Sequence, residues 1–248
     1  MTDSNRNART TAINSKREQT VDSTEEMALD DAIELTFPAS DPIAPANITR
    51  VEVPDASQSL TRTGSALANI DLNQIKIAVL VTDGFEQAEL LEPKKALEAA
   101  GATVDIISDK IGHVQGFQHT EKGATVSVDK SLDEASADDY AAVLLPGGVV
   151  NGDAMRTLPM ARKFVQEIDQ ANKPIASICH GGWLLISAGI AADRIVTSWP
   201  SLQDDFRNAG AIWEDKEVVC DENFISSRKP TDIPAFNKAF ISLLGAQQ

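Results

Sequence analysis

From Gln74 onward the apolar residues fall into short continuous runs separated by stretches of helical spacing, whereas before that point they are sparse. IKIAVLV (75–81), TVDIIS (103–108), AAVLLPGG (141–148) and PIASI (174–178) are the runs, and such patterns suit strands covered on both faces. Between them, GFEQAELLEPKKALEAAG (84–101) places Leu90, Leu91, Leu97 and Ala100 helically and closes on Gly101. Pro93 is expected to break or kink the first turn of that helix. DAMRTLPMARKFVQEIDQA (153–171) predicts a second helix and IPAFNKAFISLLG (233–245) a closing one. ATVSVDKSL (124–132), EVVC (217–220) and FISS (224–227) predict short peripheral strands. Strands alternating with helices predict an α/β fold with a mostly parallel sheet, whose ligands bind beyond the carboxyl ends of the strands.

Residues 1–73 are rich in Ser, Thr, Asn, Asp and Glu, so they are expected to form a flexible, disordered extension ahead of a domain spanning 74–248. Inside the extension, DDAIELTFPASDPIAP (30–45) groups Ile33, Leu35 and Phe37. That patch reads as a sticky spot in a tail, the alternative being an anchor on its own domain or on a neighbouring subunit. A formal net charge of -15 argues against binding to nucleic acid or to an anionic membrane. No run approaches the roughly 18 apolar residues of a membrane span, and the first twenty residues lack a signal-peptide core, so a cytoplasmic location is expected. Two cysteines are too few for a disulfide scaffold, and both are read as reduced thiols.

Three segments that follow strands carry unusual chemistry. In KPIASICHGGWLLISAG (173–189), Cys179 and His180 stand between a strand and a helix, with the small residues Ser177 and Gly181 on either side. This is the pattern of a nucleophile elbow, and a helix N-terminus there is expected to lower the cysteine pKa. The alternative is a cysteine that merely fills space; Cys220, at the end of an ordinary strand, is read that way. In LLPGGVVNGDAM (144–155), Gly147 and Gly148 suit an oxyanion hole or a tight turn. In TDGFEQAELLEP (82–93), Asp83, Glu86 and Glu89 lie in and just after the loop that follows the first strand; Glu86 reads as an early helix acid, while Glu89 beside Leu90 and Leu91 could turn inward, where burial raises its pKa and lets it shuttle protons. His113 and His119 have no ligand set spaced around them and read as exposed loop histidines, so no metal is expected. No P-loop or G-x-G-x-x-G fingerprint follows a strand, and no nucleotide cofactor is expected.

Taken together, GFEQAELLEP, LLPGG, ASICHGGWLLISAG, TSWPSLQDDFRNAGA, EVVCDENFISSRKPTDIPAF and a final LLG resemble the PfpI (ThiJ/PfpI) family, in the class I glutamine amidotransferase-like superfamily. The likeness runs from about Lys76 to Gly245 and leaves out the N-terminal arm. It implies a flavodoxin-like α/β sandwich with Cys179 as nucleophile, Glu89 bonded to its sulfur, and an oxyanion hole from the N–H groups of Gly148 and His180. It also implies that a carboxylate from a neighbouring subunit orients His180. Asp153 is the nearest candidate, although its loop is one residue longer than usual. The resemblance further implies a homodimer or higher homo-oligomer without cofactor. Its activities range over glyoxalase III, deglycase and intracellular peptidase or amidase chemistry, with a small aldehyde or glycated protein as the favoured substrate. A non-enzymatic redox sensor is the alternative of a different class. Glutamine amidotransfer is disfavoured because no histidine follows His180.

Overall fold

The computed structural model describes residues 70–247. The patch around Phe37, and the extension apart from its last four residues, lie outside the described residues. Ile70 to Asn73 are packed rather than free: Leu72 is fully buried and its N–H donates to Ala100 O at 2.7 Å.

The central sheet has seven strands. Its members are β1 (Lys76–Leu80), β3 (Thr103–Ser108), β6 (Lys130–Ser131), β7 (Ala142–Leu145), β8 (Ile175–Ile178), β11 (Val218–Asp221) and β12 (Phe224–Ser227). They lie in the order β11-β12-β8-β7-β1-β3-β6, and only β11 runs antiparallel. Alternate residues of one strand feed different cores, as pleating requires. Ile77, Val79 and Val81 face the helices α1 (Gln87–Ala99) and α6 (Ile233–Ala246). Ala78 and Leu80 face α3 (Pro159–Gln170) and α4 (Gly182–Ala188). Helices on both faces explain why the strands read as unbroken apolar runs. The result is a three-layer α/β sandwich of the flavodoxin-like type.

From β1 the chain winds outward through β3 to β6, then returns to the other side of β1 for β7, β8 and β12. The winding reverses between β1 and β7, which is where an open α/β sheet forms its ligand crevice.

Several local expectations are corrected. Residues 84–86 are not helical: β2 (Phe85–Glu86) pairs with β4 (His113–Gln118), which in turn pairs with β5 (Glu121–Ser127). Pro93 lies inside α1 without ending it. The missing N–H forfeits one helical bond, but Leu90, Pro93 and Leu97 are all buried, and that packing offsets the loss. The helix expected over 153–171 is two helices, α2 (Val149–Thr157) and α3. Pro159 cannot donate and forces Leu158 into extended backbone, so the chain breaks there. Cys220 is exposed on the edge strand β11 rather than in the core, because its neighbour Val219 takes the inward position.

Candidate active site

Adjacency of β1, β7 and β8 brings three loops together at their carboxyl ends. After β8 the chain bends sharply through a 3-10 turn, Cys179–Gly181, into α4. Cys179 has φ 59, a left-handed conformation that a non-glycine residue rarely holds, and such strain concentrates where a side chain must be presented to a ligand. Its sulfur meets the Nδ1 of His180 at 3.2 Å, and the residue is 7% exposed at the base of a pocket of about 200 Å³.

Glu89 comes from the first turn of α1 and is completely buried. Its Oε2 accepts the Gly147 N–H at 2.9 Å, its Oε1 is buried without a hydrogen-bond partner among the described residues, and the carboxyl is electrostatically coupled to the Cys179 thiol. A side chain at position 147 would put its Cβ 2.6 Å from the Cβ of Cys179, so only glycine allows the three loops to close this far. Gly148 has φ 92, and its N–H points at the sulfur together with that of His180. Asn151 locks the arrangement from below: its Nδ2 donates to Pro146 O at 2.9 Å and Gly147 O at 3.1 Å, while its Oδ1 accepts the Thr82 N–H at 2.8 Å.

Burial sets the protonation of the site. It pushes Glu89 up to about 8, with the nearby charge of Glu86 adding to the rise and the Cys179 thiol and the Gly147 N–H opposing it. It also pushes the Cys179 thiol up, reinforced by the charge of Glu89 and opposed by the N–H groups of Gly148 and His180. The expected lowering by a helix terminus does not prevail, since α4 has only seven residues and the sulfur is desolvated. The push from Glu89 exists only while its carboxyl is ionised. Once protonated, the carboxyl donates a hydrogen bond to sulfur and favours the thiolate. The two groups therefore titrate as a pair that shares one proton.

His180 is buried, which lowers its pKa and keeps the ring neutral. Its ring packs edge-on to Trp183, with centroids 4.9 Å apart, and lies nearly parallel to Trp199 at 5.9 Å. Asp153 is exposed on α2, and among the described residues no carboxylate bonds to the His180 ring.

Cys179, His180, Glu89, Gly147 and Gly148 are thus brought together within one chain, and Asp153 is not. Glu86 is more than a helix acid, since it stands in β2 and lines the pocket with Phe117, His119, Val149, Val150 and Trp199. His119 is exposed as expected, but it follows β4 at the pocket mouth, and His113 lies on that strand rather than in a loop. Asn151 escaped the sequence reading, because one amide in a loop of mixed polarity carries no signal of burial. Among the described residues no group of three or more His, Cys, Asp or Glu is placed to hold a metal ion, and no helix is long and apolar enough to cross a membrane.

The profile of the DJ-1/PfpI family matches residues 75–243, which contain every element of this site. The chain belongs to the DJ-1/PfpI family. A deglycase of Thermococcus kodakarensis is 39% identical over 170 residues, covering 68% of this chain and 99% of that protein. YraA of Bacillus subtilis, whose name marks it provisionally as a cysteine protease, is 38% identical over 169 residues, covering 68% and 98%. Among solved structures, a two-domain protein of Anabaena variabilis with DJ-1/ThiJ/PfpI-like and ferritin-like domains superposes with a TM-score of 0.66 at 32% identity, over 69% of this chain and 48% of that one. Deglycase and protease names among DJ-1/PfpI relatives suggest an enzyme, and both chemistries begin with a nucleophile meeting a carbon bonded to oxygen.

Proposed function

We propose that this DJ-1/PfpI protein is a cysteine-dependent enzyme that converts reactive carbonyls, methylglyoxal and its early adducts on protein, and so protects the cell under carbonyl stress. The observation that carries this reading is the buried Glu89 carboxyl, held by the Gly147 N–H against the Cys179 thiol. A carboxyl with a pKa near 8 beside a sulfur can both give and take a proton at neutral pH.

In the proposed sequence, the Cys179 thiolate adds to the aldehyde carbon of methylglyoxal. The oxygen becomes an alkoxide that the N–H of Gly148 stabilises until the Glu89 carboxyl protonates it, giving a hemithioacetal and leaving Glu89 ionised. Glu89 then takes the proton from C1 and returns one to C2 through an enediolate, leaving a thioester of lactate. Water hydrolyses the thioester, releasing lactate and restoring the thiol. For an early adduct, in which a side-chain nitrogen is bonded to that carbon, sulfur displaces the nitrogen, which leaves with a proton from the Glu89 carboxyl, and the same steps follow.

A pocket of about 200 Å³ fits a small carbonyl more readily than an extended peptide, which favours this chemistry over proteolysis. The reading includes a homodimer or higher homo-oligomer in which Asp153 of a second copy orients His180, next to the exposed Val149 and Val150 at the pocket rim. Assays of lactate formation from methylglyoxal and of peptide cleavage on one sample test it. Lactate formation that disappears in Cys179→Ala supports the reading, and peptide cleavage without lactate opposes it. No turnover, with ready oxidation of Cys179 to a sulfinate, points to a sensor instead.

A further inference from the structure

We infer that Glu86 is a charge-selecting residue of this pocket, favouring carbonyl adducts carried on a cationic guanidinium over neutral and anionic carbonyls. The inference rests on the proposed carbonyl chemistry for its substrate class, and on the pocket's charges for its direction.

Glu86 lines the same pocket as Cys179, and no lysine or arginine lines it. Of the two basic residues just before Pro230, Arg228 is engaged by Asp215 and Asp232, and Lys229 does not line the pocket. Lys110, beyond the loop after β1, is paired with Asp83. Glu89, the other carboxyl of the pocket, is held protonated by burial, so the fixed charge that an entering ligand meets is the negative one on Glu86.

The carboxylate is held in place from three sides. Its backbone pairs with β4, and its own N–H donates to Gly147 O at 3.2 Å. Oε2 accepts the His119 N–H at 3.0 Å, whereas Oε1 takes no hydrogen bond from the described residues. The His119 ring stands 3.8 Å from Oε2 but is 87% exposed, so an incoming cation can take its place. The side chain of Glu86 is only 14% exposed, and a charge that water screens so little acts at closer to its full strength on a ligand. A guanidinium fits a free carboxylate edge with two parallel hydrogen bonds, and an adduct on arginine keeps that charge. Once Glu86 holds the guanidinium, the carbon bearing the adduct is directed toward the sulfur at the pocket base.

The test uses two thiol reagents with the same reacting group and opposite charge, 2-aminoethyl and 2-sulfonatoethyl methanethiosulfonate. It is run on the full-length protein carrying Cys220→Ser, which removes the exposed second thiol. The ratio of the two rate constants at Cys179 cancels any change in the thiol's own ionisation. The inference predicts a cation-to-anion ratio well above that of a free thiol. Glu86→Gln should lower this ratio about tenfold, and raising the salt concentration should lower it in the unsubstituted protein as well. A ratio that Glu86→Gln leaves unchanged overturns the inference, whatever salt does. If that variant does not fold, Glu86→Ala in the same Cys220→Ser background takes its place. Should the ratio behave as expected while no arginine adduct of methylglyoxal is turned over, the carbonyl chemistry fails and the charge selection stands.

Discussion

The carboxyl of Glu89 lies between the thiol of Cys179 and the N–H of Gly147, donated by the first crossover helix to a sulfur held after the fifth strand of the parallel series. Because both groups are buried, the pair holds its protons more tightly than either group would in water. The first is lost near pH 8, and the proton that remains is shared. Alkylation of Cys179 by iodoacetamide should therefore rise with pH through about 8. In Glu89→Gln the sulfur must ionise against burial without a carboxyl to carry its proton, and the midpoint should move upward. An unchanged profile would separate the two groups.

The same shift makes stability depend on pH. Glu89 has its folded value raised from an ordinary 4.5 to about 8, so between these values the folded protein holds a proton that the unfolded chain has lost. Its contribution is present below about pH 4.5 and fades as pH rises through about 8. The unfolding free energy from urea titrations should fall between pH 5 and pH 8, by an amount on the order of a few kcal/mol. Glu89→Gln should flatten that slope over the same window.

Gly147→Ala drives a methyl against the Glu89 Oε2 and places it 2.6 Å from the Cys179 Cβ and 2.9 Å from the His180 nitrogen, and the last two are fixed to backbone that cannot give way. We expect about 1–3 kcal/mol of destabilisation, read as a lower thermal midpoint. Turnover should suffer more than stability, because the displaced loop carries the N–H that holds Glu89.

Asn151→Ala strands the buried Thr82 N–H and two carbonyls of the Pro146–Gly147 turn. The expected loss is about 2–3 kcal/mol in chemical denaturation. As Asn151 positions the loop without lining the pocket, kcat should fall while KM for a small carbonyl changes little.

Much of the architecture was readable because strands covered on both faces leave unbroken apolar runs: IKIAVLV, TVDIIS, AAVLLPGG and PIASI all became neighbours in one sheet. Cys179 and Gly147 were readable for a related reason, since residues directly after such strands meet at the carboxyl edge. What stayed hidden depends on contacts distant in sequence. HVQGFQ has too few apolar residues to read as a strand, and only pairing with β2 and β5 makes it one. Leu158 looks like a helical core residue until the restriction imposed by Pro159 is weighed. The direction of the Cys179 shift was misjudged because a helix terminus is visible in sequence and desolvation is not.

The central claim is that sulfur attacks the carbonyl and Glu89 moves the proton that follows. Intact-protein mass spectrometry of Glu89→Gln mixed with methylglyoxal, read beside lactate release, tests it most directly. The account predicts that the adduct on Cys179 still forms while lactate release falls by at least about 100-fold. Lactate released by Glu89→Gln at the rate of the unsubstituted protein would contradict it.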